Sequence, residues 1–525
     1  MGAASPEPPW LAALSRPEAY PGDPSAAGGI ERIDTHISQV LMSRARVYKL
    51  RRPVRLSFLD FTSASERLAD ALREVALNRR LAPDVYLGIA PILDRSGGAE
   101  VGATAETPSN EPGVLEHCVV MRRLPAGRDL KSMLERGEAG PAHVDRIAAR
   151  LAVFHAQQSL GRPAPFGRPD WLSRTTAPAR ANLDTLAGVP ASLAPPEEVA
   201  EARSRAAAFV EARRSDFDQR LHDGRVVDGH GDLHTEHVWF EHDEAEPLMI
   251  DCLEFRDDFR RIDAASDAAF LAMDLGYRGR HDLATRFLRR YARASGDYHL
   301  FAVIDYFLSY RALVRAKVAA LVASDTSLPQ RQRSGAADSV RRHLDLGLEF
   351  LRPRAAGQVV LLCGTIGTGK STVAEALAEK SGGVVIASDQ VRRVMQQPER
   401  YSDTARGAVY DRLLTEARAV VVSGRTAILD ATYSRRIWRE SAARWAATNA
   451  ADCTLVEIVA PRDQVIERLT ERAAAGNDAS EAGPGLYDTI RAEFEEPDEW
   501  PQARRFVVDT ATTDWLERIG AILSE

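Results

Sequence analysis

The sequence predicts a two-domain protein of mixed α and β structure: an α+β domain in which a small β-rich lobe precedes a larger helical lobe, then an α/β domain built on a parallel sheet. Three observations carry this. The chain has 525 residues, 45% of them hydrophobic, which is too many for one ordinary core. Stretches with β character crowd before residue 125, and helical spacing dominates from there to about residue 350. Beyond residue 357, near-continuous apolar runs alternate with helical stretches, the pattern of strands buried on both faces.

Residues 1–29, rich in Pro, Ala and Gly, read as a loose, partly irregular leader with a short helix near Trp10 to Leu14. They lack the basic start and apolar stretch of a signal peptide. Arg46 to Leu59 is apolar with β character, broken at Pro53. Ser65 to Leu81 has helical spacing through Leu68, Leu72, Val75 and Leu77. Val85 to Ile92 and Cys118 to Met121 read as strands, and the polar, Gly- and Pro-rich residues 93–113 between them as a surface loop. Helices are expected over Val144 to Gln158, Glu197 to His222, His281 to Ala294 and Phe301 to Ser324. A strand–loop–strand unit, Val226 to Phe240 then Leu248 to Phe255, interrupts them. Residues 325–337 are polar and break the pattern, after which a last helix runs to about Leu351. The small lobe thus spans about 30–125, the helical lobe about 126–350, and residues 351–357 form a linker. In the domain that follows, 358–525, strands are expected at Val359–Cys363, Val384–Ala387, Ala427–Leu429, Thr454–Ala460 and Phe506–Val508.

The formal net charge of −7 gives no basic field to hold nucleic acid or an acidic membrane. The apolar runs are strand-length and far short of a bilayer span. The four cysteines stand far apart, a spacing that fits a reducing compartment and not a zinc site. A cytoplasmic location is the expectation. Of the 68 basic residues only Lys49, Lys131, Lys317, Lys370 and Lys380 are lysines. Where arginine is the default cation, a retained lysine marks places where the compact charge of an ammonium is needed.

Lys370 falls in Gly364-Thr365-Ile366-Gly367-Thr368-Gly369-Lys370-Ser371-Thr372, which directly follows the strand VVLLC and opens a helix. This is the phosphate-binding P-loop in its required context. Its glycines let backbone N–H groups wrap a phosphate chain, and the helix N-terminus adds a positive dipole end. Lys370 is expected on the β- and γ-phosphates of ATP and the Ser371 hydroxyl on Mg²⁺. Asp430 ends the strand Ala427–Leu429 and is a candidate to hold Mg²⁺ through water; the bland reading is a helix cap. Asp389, after the strand VVIA and before Arg392 and Arg393, is placed to meet a substrate hydroxyl; the bland reading is a helix N-cap. Arg468 and Arg472 share one helix face and lead into the loop AAAGNDASEAG, which suits a lid or, equally, a solvated face. On GTIGTGKST, SDQVRR, ILDATYSRR and IERLTER, residues 358–525 resemble the small P-loop kinases of the gluconate-kinase, zeta-toxin and AAA-type kinase group. The resemblance implies phosphoryl transfer without naming the acceptor.

Upstream, His230-Gly231-Asp232-Leu233-His234 lies in a loop after RVVDG, and Asp251 ends the strand PLMI. Such a pair of aspartates suits phosphotransfer, one orienting the substrate hydroxyl and the other holding Mg²⁺. Lys49 in the strand VYKL and Glu74 in the following helix suit the lysine–glutamate pair with which kinase small lobes hold phosphates; the bland reading of Lys49 is an exposed strand lysine. Together with THIS (35–38), VYKLRRPV, FLDF with Glu74 and Asn78, MRRLP, GHGDLHTEH, DCLEFRDDFRRIDAASD and YRALVRAKV, these residues resemble the aminoglycoside-phosphotransferase-like fold, a two-lobed protein-kinase-like architecture. They are similar to bacterial proteins that fuse such a domain to a P-loop kinase. The resemblance implies Asn as a Mg²⁺ ligand seven residues after the motif histidine, where this chain has His237, a poorer partner for a hard ion. The segment THISQVLMSRAR also lacks glycine, so a flexible loop over the phosphates is not evident.

Arg311, Arg315 and Lys317 form a basic stretch that meets an anionic ligand or is simply a structural face. His155 reads as a core or capping histidine. The sequence thus describes an ATP- and Mg²⁺-dependent, bifunctional phosphotransferase acting on a small hydroxyl-bearing acceptor, without nucleic-acid or membrane partners. Two rivals remain: an N-terminal pseudokinase that senses a metabolite and gates the P-loop domain, and an ATPase switch or toxin-like module acting through a protein partner.

Overall fold

A computed structural model describes residues 8–56, 59–95, 98–395, 403–475, 485 and 487–522. The chain forms two compact units, residues 1–166 with 221–274 and residues 167–220 with 275–525.

The first unit is built on a six-stranded antiparallel sheet in the order Glu31–Asp34, Ser38–Met42, Arg46–Arg51, Val114–Arg122, Tyr86–Arg95 and Gly98–Val101. The last strand lies inside the stretch expected to be surface loop. Its composition is that of a turn, but pairing of Val101 with Ile92 buries Ala99 and Val101 at the sheet edge. Alternation along Arg46–Arg51 sends Tyr48 and Leu50 to one face and Lys49 and Arg51 to the other.

The Tyr48 face is covered by residues 9–28, folded into the 3₁₀ helices Pro9–Ser15, Pro17–Ala19 and Pro24–Gly28. Leu11, Leu14 and Tyr20 pack there against Leu41, Tyr48, Leu50 and Val120. Buried Asp23 accepts hydrogen bonds from Ser43 Oγ at 2.6 Å and the Tyr48 hydroxyl at 3.1 Å. The segment expected to be a loose leader is therefore a packed cover. A few apolar positions suffice for that role, so average composition does not reveal it. On the Lys49 face lies the helix Ala64–Asn78, started by Ser63, whose side chain accepts the Glu66 N–H. Its Ala71 and Val75 pack on Tyr86, Ile89 and Val119. The same unit holds the helix Pro141–Gln157, the paired strands Val226–Asp228 and Arg261–Asp263, and the hairpin Val238–Trp239 with Leu248–Met249.

The second unit contains a five-stranded, all-parallel sheet in the order Val384–Ala387, Ala427–Asp430, Val359–Cys363, Cys453–Val459 and Arg505–Asp509. The central strand VVLLC is wholly buried, as continuous hydrophobicity requires. Helices Lys370–Ser381 and Trp515–Ile522 share a core with Val360, Ile428 and Val456.

Helices of the expected helical lobe pack in this second unit, among them Arg168–Ala187, Pro196–Ala212, His281–Ser295, Ile304–Ser324 and Gln330–Phe350. The linker at 351–357 is thus not where the packing divides. Arg286 and Arg289 of the helix His281–Ser295 meet Glu379 of the P-loop helix at 2.7 and 2.8 Å, and Arg290 and Arg293 meet Glu375. Arg425 grips Asp305 with both terminal guanidinium nitrogens, at 2.7 and 3.0 Å. Two helix expectations are corrected. Residues 330–337 are helical rather than a break, because their Gln, Arg and Ala are good helix formers despite being polar. The stretch 197–222 is two helices, interrupted at Arg213. Among the described residues, no helix is long and apolar enough to cross a membrane.

Arg439 anchors the end of the second unit. It is fully buried and donates to Glu499 at 2.6 and 2.9 Å, to the Tyr433 carbonyl at 3.0 Å and to the Glu495 carbonyl at 2.8 Å. Arg439→Ala leaves the 5%-exposed Glu499 side chain unpaired. It is expected to cost about 3–5 kcal/mol, read as a lowered midpoint in urea unfolding followed by circular dichroism.

Candidate active sites

In the second unit the P-loop links the central strand to the helix Lys370–Ser381. Gly364 and Gly369 have φ of 152° and 93°. A Cβ at Gly364 would sit 2.4 Å from the Ile458 carbonyl, so the turn admits only glycine there. Lys370 Nζ and Thr368 Oγ1 both donate to the Thr365 carbonyl, at 2.7 and 2.9 Å. Ser371 Oγ, at the start of the helix with Thr372, donates to Asp430 Oδ2 at 2.7 Å. Burial lowers the pKa of Lys370 against the pull of Asp430. Burial likewise raises that of Asp430, opposed by Lys370 and the Ser371 hydroxyl. Burial is the largest cause of both shifts, so an uncompensated charge is costly in this cradle. The Ser371 and Asp430 oxygens are hard donors side by side and fit Mg²⁺.

Asp389 opens the helix Ser388–Met395 at the end of its strand and pairs with Arg392 at 3.2 Å. Its charge is felt at both Lys370 and Asp430. Arg472 acts on Lys370 from the helix Arg462–Ala475. Arg468, one turn earlier, donates to Thr510 Oγ1 at 2.9 Å, and that hydroxyl donates to the Thr368 carbonyl at 2.8 Å. Arg468 is therefore tied to the back of the P-loop. Gly367 lies beneath, against Val465 and Leu469. Most of the expected lid loop, from Gly476 on, lies outside the described residues.

In the first unit, Lys49 Nζ lies 2.8 Å from Glu74 Oε1 and 2.8 Å from Asp251 Oδ1. Burial opposes its charge, but Asp251 and Glu74 outweigh burial and raise its pKa. Arg51, two residues on, reaches Asp70 at 2.6 Å, Glu74 at 2.7 Å and also Glu254. Burial pushes Glu254 up to about 8, against the pull of Arg51. Asp251 has φ of 62°, a strained value for a residue with a side chain. Its N–H donates to the Tyr86 hydroxyl at 3.2 Å, and the Cys252 N–H donates to Asn78 Oδ1 at 2.8 Å. Burial works against ionised Asp251, yet Lys49 and His237 hold its pKa well below the ordinary range.

Asp232 stands in the loop after Val226–Asp228, its side chain 37% exposed. His237 Nε2 faces Asp251 Oδ2 at 3.5 Å. The turn between the first two strands, residues 35–37, contains no glycine and is closed by the Ser38 N–H on Thr35 Oγ1 at 2.9 Å.

Comparison with known proteins now bears on these two sites. The phosphotransferase enzyme family matches residues 44–304 and the AAA domain family matches residues 359–497. An uncharacterized protein of Mycobacterium tuberculosis (strain ATCC 25618 / H37Rv) is 34% identical over 462 residues, covering 85% of this chain and 87% of its own length. A protein of Mycobacterium bovis (strain ATCC BAA-935 / AF2122/97), also uncharacterized, matches to the same extent. The chain belongs to their family. Solved structures similar to the P-loop portion include a gluconokinase from Sinorhizobium meliloti 1021, 20% identical over 33% of this chain and 94% of that one, with a TM-score of 0.26. The Mycobacterium tuberculosis APS kinase CysC in complex with AMPPNP and APS is likewise 20% identical, over 33% and 99%, with a TM-score of 0.27. The chain thus joins a domain of the phosphotransferase enzyme family to an AAA-family domain that carries the P-loop.

This family member holds its HGD loop by a residue that the sequence reading passed over. Asp267, wholly buried, accepts the N–H of His230 at 2.7 Å and of Gly231 at 2.9 Å, and contacts His155 Nε2 at 3.0 Å. His155 thus serves the loop from the core. Arg51 was missed too, although its spacing of two from Lys49 in a strand placed it on the same face. Of the basic stretch on Ile304–Ser324, Arg311 is buried beside the Tyr310 ring, and burial lowers the pKa of Lys317.

Burial alone would raise the Asp267 pKa, but His155 and the backbone N–H groups hold it well below the usual carboxylate range. With the folded value depressed, the stability this group supplies is complete above the ordinary value of 3.8 and fades as pH falls below it. Asp267→Asn is expected to lose about 3 kcal/mol at neutral pH, and the gap to the parent should narrow below about pH 4. Urea titrations across pH check both statements.

Proposed function

We propose that the P-loop module transfers the γ-phosphoryl group of ATP to a hydroxyl of a small molecule. The observation that carries this is the convergence of Lys370, Ser371 and Asp430 on the P-loop, with the Asp389 carboxylate near enough to act on two of them. In this reading the P-loop N–H groups and Lys370 bind the β- and γ-phosphates, and Ser371 and Asp430 hold Mg²⁺, which when bound neutralises phosphate charge. Asp389 accepts the proton of the acceptor hydroxyl as its oxygen bonds to phosphorus, while ADP leaves. Arg472 offsets the charge on the transferred group, and Arg468 keeps the loop in place through Thr510. The site is read as cytoplasmic, where ATP and reduced thiols prevail.

The N-terminal module is read as a second phosphotransfer centre. Lys49 and Glu74 would hold the nucleotide phosphates, and Asp232 and Asp251 would serve the acceptor and a cation.

Added to a Lys49→Met background, which silences the N-terminal module, Lys370→Ala is expected to lower acceptor-dependent ADP release by about 100-fold or more. The assay is a screen of sugars, amino sugars, nucleosides and aminoglycosides on the full-length protein. Asp389→Asn is expected to reduce turnover while leaving ATP binding within about threefold, since an amide keeps the shape but takes no proton. Unchanged turnover in Lys370→Ala would overturn the P-loop assignment. Calorimetric nucleotide binding that persists in Lys370→Ala and is lost on further change of Lys49→Met would locate the second site.

A further inference from the structure

Asp389 follows Val384–Ala387, an edge strand of the parallel sheet with Ala427–Asp430 as its neighbour. An edge strand is held on one side by its sheet, so its direction depends on what else grips it. Here the grip comes from far upstream, from the helix His281–Ser295 and the 3₁₀ helix Tyr298–Ala302. Arg289 donates to the Gly383 carbonyl at 3.2 Å, just before the strand begins. Just after the strand ends, the Gln390 side-chain amide donates to the Arg293 carbonyl and accepts the Tyr298 hydroxyl, the latter at 3.0 Å. Both ends of that amide are engaged, and Gln390 is the next residue after Asp389 in the helix Ser388–Met395.

The two partners of Gln390 suit this task. Arg293 lies in the last turn of its helix, where a carbonyl has no amide one turn on and needs an outside donor. Tyr298 is buried, and burial pushes its phenol pKa up, so it keeps the proton it donates. The end of the helix is itself held in place by charge. Ser371, Glu375 and Glu379 recur every four residues along one face of the P-loop helix. Arg286 and Arg289 take Glu379, Arg290 and Arg293 take Glu375, and Ser371, next in line, holds Asp430. The ladder thus stops one helical turn short of Ser371, and the charge of Arg293 is felt at Asp430.

We propose that Tyr298 and Gln390 are positioning residues of the P-loop centre: through them the end of the helix His281–Ser295 aims Asp389 at the acceptor hydroxyl. Tyr298 belongs to the phosphotransferase-family match and Gln390 to the AAA match, so the P-loop centre is complete only with residues from outside its own family match. The inference rests on the reading of Asp389 as the base.

The test is a double-mutant cycle in the full-length protein carrying Lys49→Met. Turnover is read as labelled phosphate released from γ-labelled ATP with water as acceptor, and as transfer to the best hydroxyl compound of the screen above. Tyr298→Phe and Gln390→Leu should each lower kcat about tenfold and leave the KM for ATP within about threefold, since a misaimed base costs turnover rather than nucleotide binding. In an Asp389→Asn background neither change should cost more than about twofold further, because the base that they aim is gone. Unchanged kcat in both variants, a shift of KM without kcat, or a tenfold loss that recurs in the Asp389→Asn background would overturn the proposal. Should Gln390→Leu fail to fold by circular dichroism, Tyr298→Phe, which removes a single oxygen, carries the cycle. Parental turnover in Asp389→Asn would instead remove the base reading, and this inference with it. A parent that turns over with neither acceptor would remove the phosphotransfer reading itself.

Discussion

Two cations on one buried face of one strand constrain the whole N-terminal module. Lys49 and Arg51 point away from the apolar cover of residues 9–28 and must find carboxylates, because an unpaired charge there would cost several kcal/mol. The helix Ala64–Asn78 supplies Asp70 and Glu74, and the loop after Leu248–Met249 supplies Asp251 and Glu254. Sheet, helix and loop are thereby fixed to one another by ion pairs rather than by packing alone. The same network explains how Asp251 is kept at a positive φ. The surrounding hydrogen bonds from its own and the next N–H, to Tyr86 and Asn78, over-determine the backbone.

The P-loop module meets a similar electrostatic demand by other means. Its phosphate cradle is mainly backbone, shaped by glycines against the Ile458 carbonyl and Thr510, so its positive field comes from N–H groups and a helix end. Lys370 brings a full charge into the cradle, balanced by Asp430 across Ser371. One module therefore offers hard oxygens beside a backbone nest, and the other offers imidazoles beside a side-chain ion network.

Much of this was legible in the sequence. The P-loop strand and Asp430 follow from apolar runs and a motif whose glycines have one steric purpose. Lys49 was legible because lysine is scarce in this chain. What escaped is what depends on distant partners. The cover formed by residues 9–28 is specified by Leu11, Leu14 and Tyr20 against a sheet face, and no local period marks it. Strand Gly98–Val101 exists because Tyr86–Arg95 offers it an edge. Asp267 reads as an ordinary helix-start acid until the fold lays the HGD loop over it. His237 was visible as a departure, but its approach to Asp251 Oδ2 at 3.5 Å was not.

The arginine ladder on His281–Ser295 bears on how such a chain is inherited. The phosphotransferase family match ends at residue 304 and the AAA match begins at 359, so the seam between the two families lies between them. In packing, Arg286, Arg289, Arg290 and Arg293 belong with Glu375 and Glu379 across that seam. The two sequence modules therefore share a charge code and are not beads on a string. Recombination that swapped either module for a distant cousin would bring together mismatched charges at this contact. A substitution at Glu375 or Glu379 therefore removes a partner from arginines more than eighty residues upstream and is not a change in the P-loop module alone.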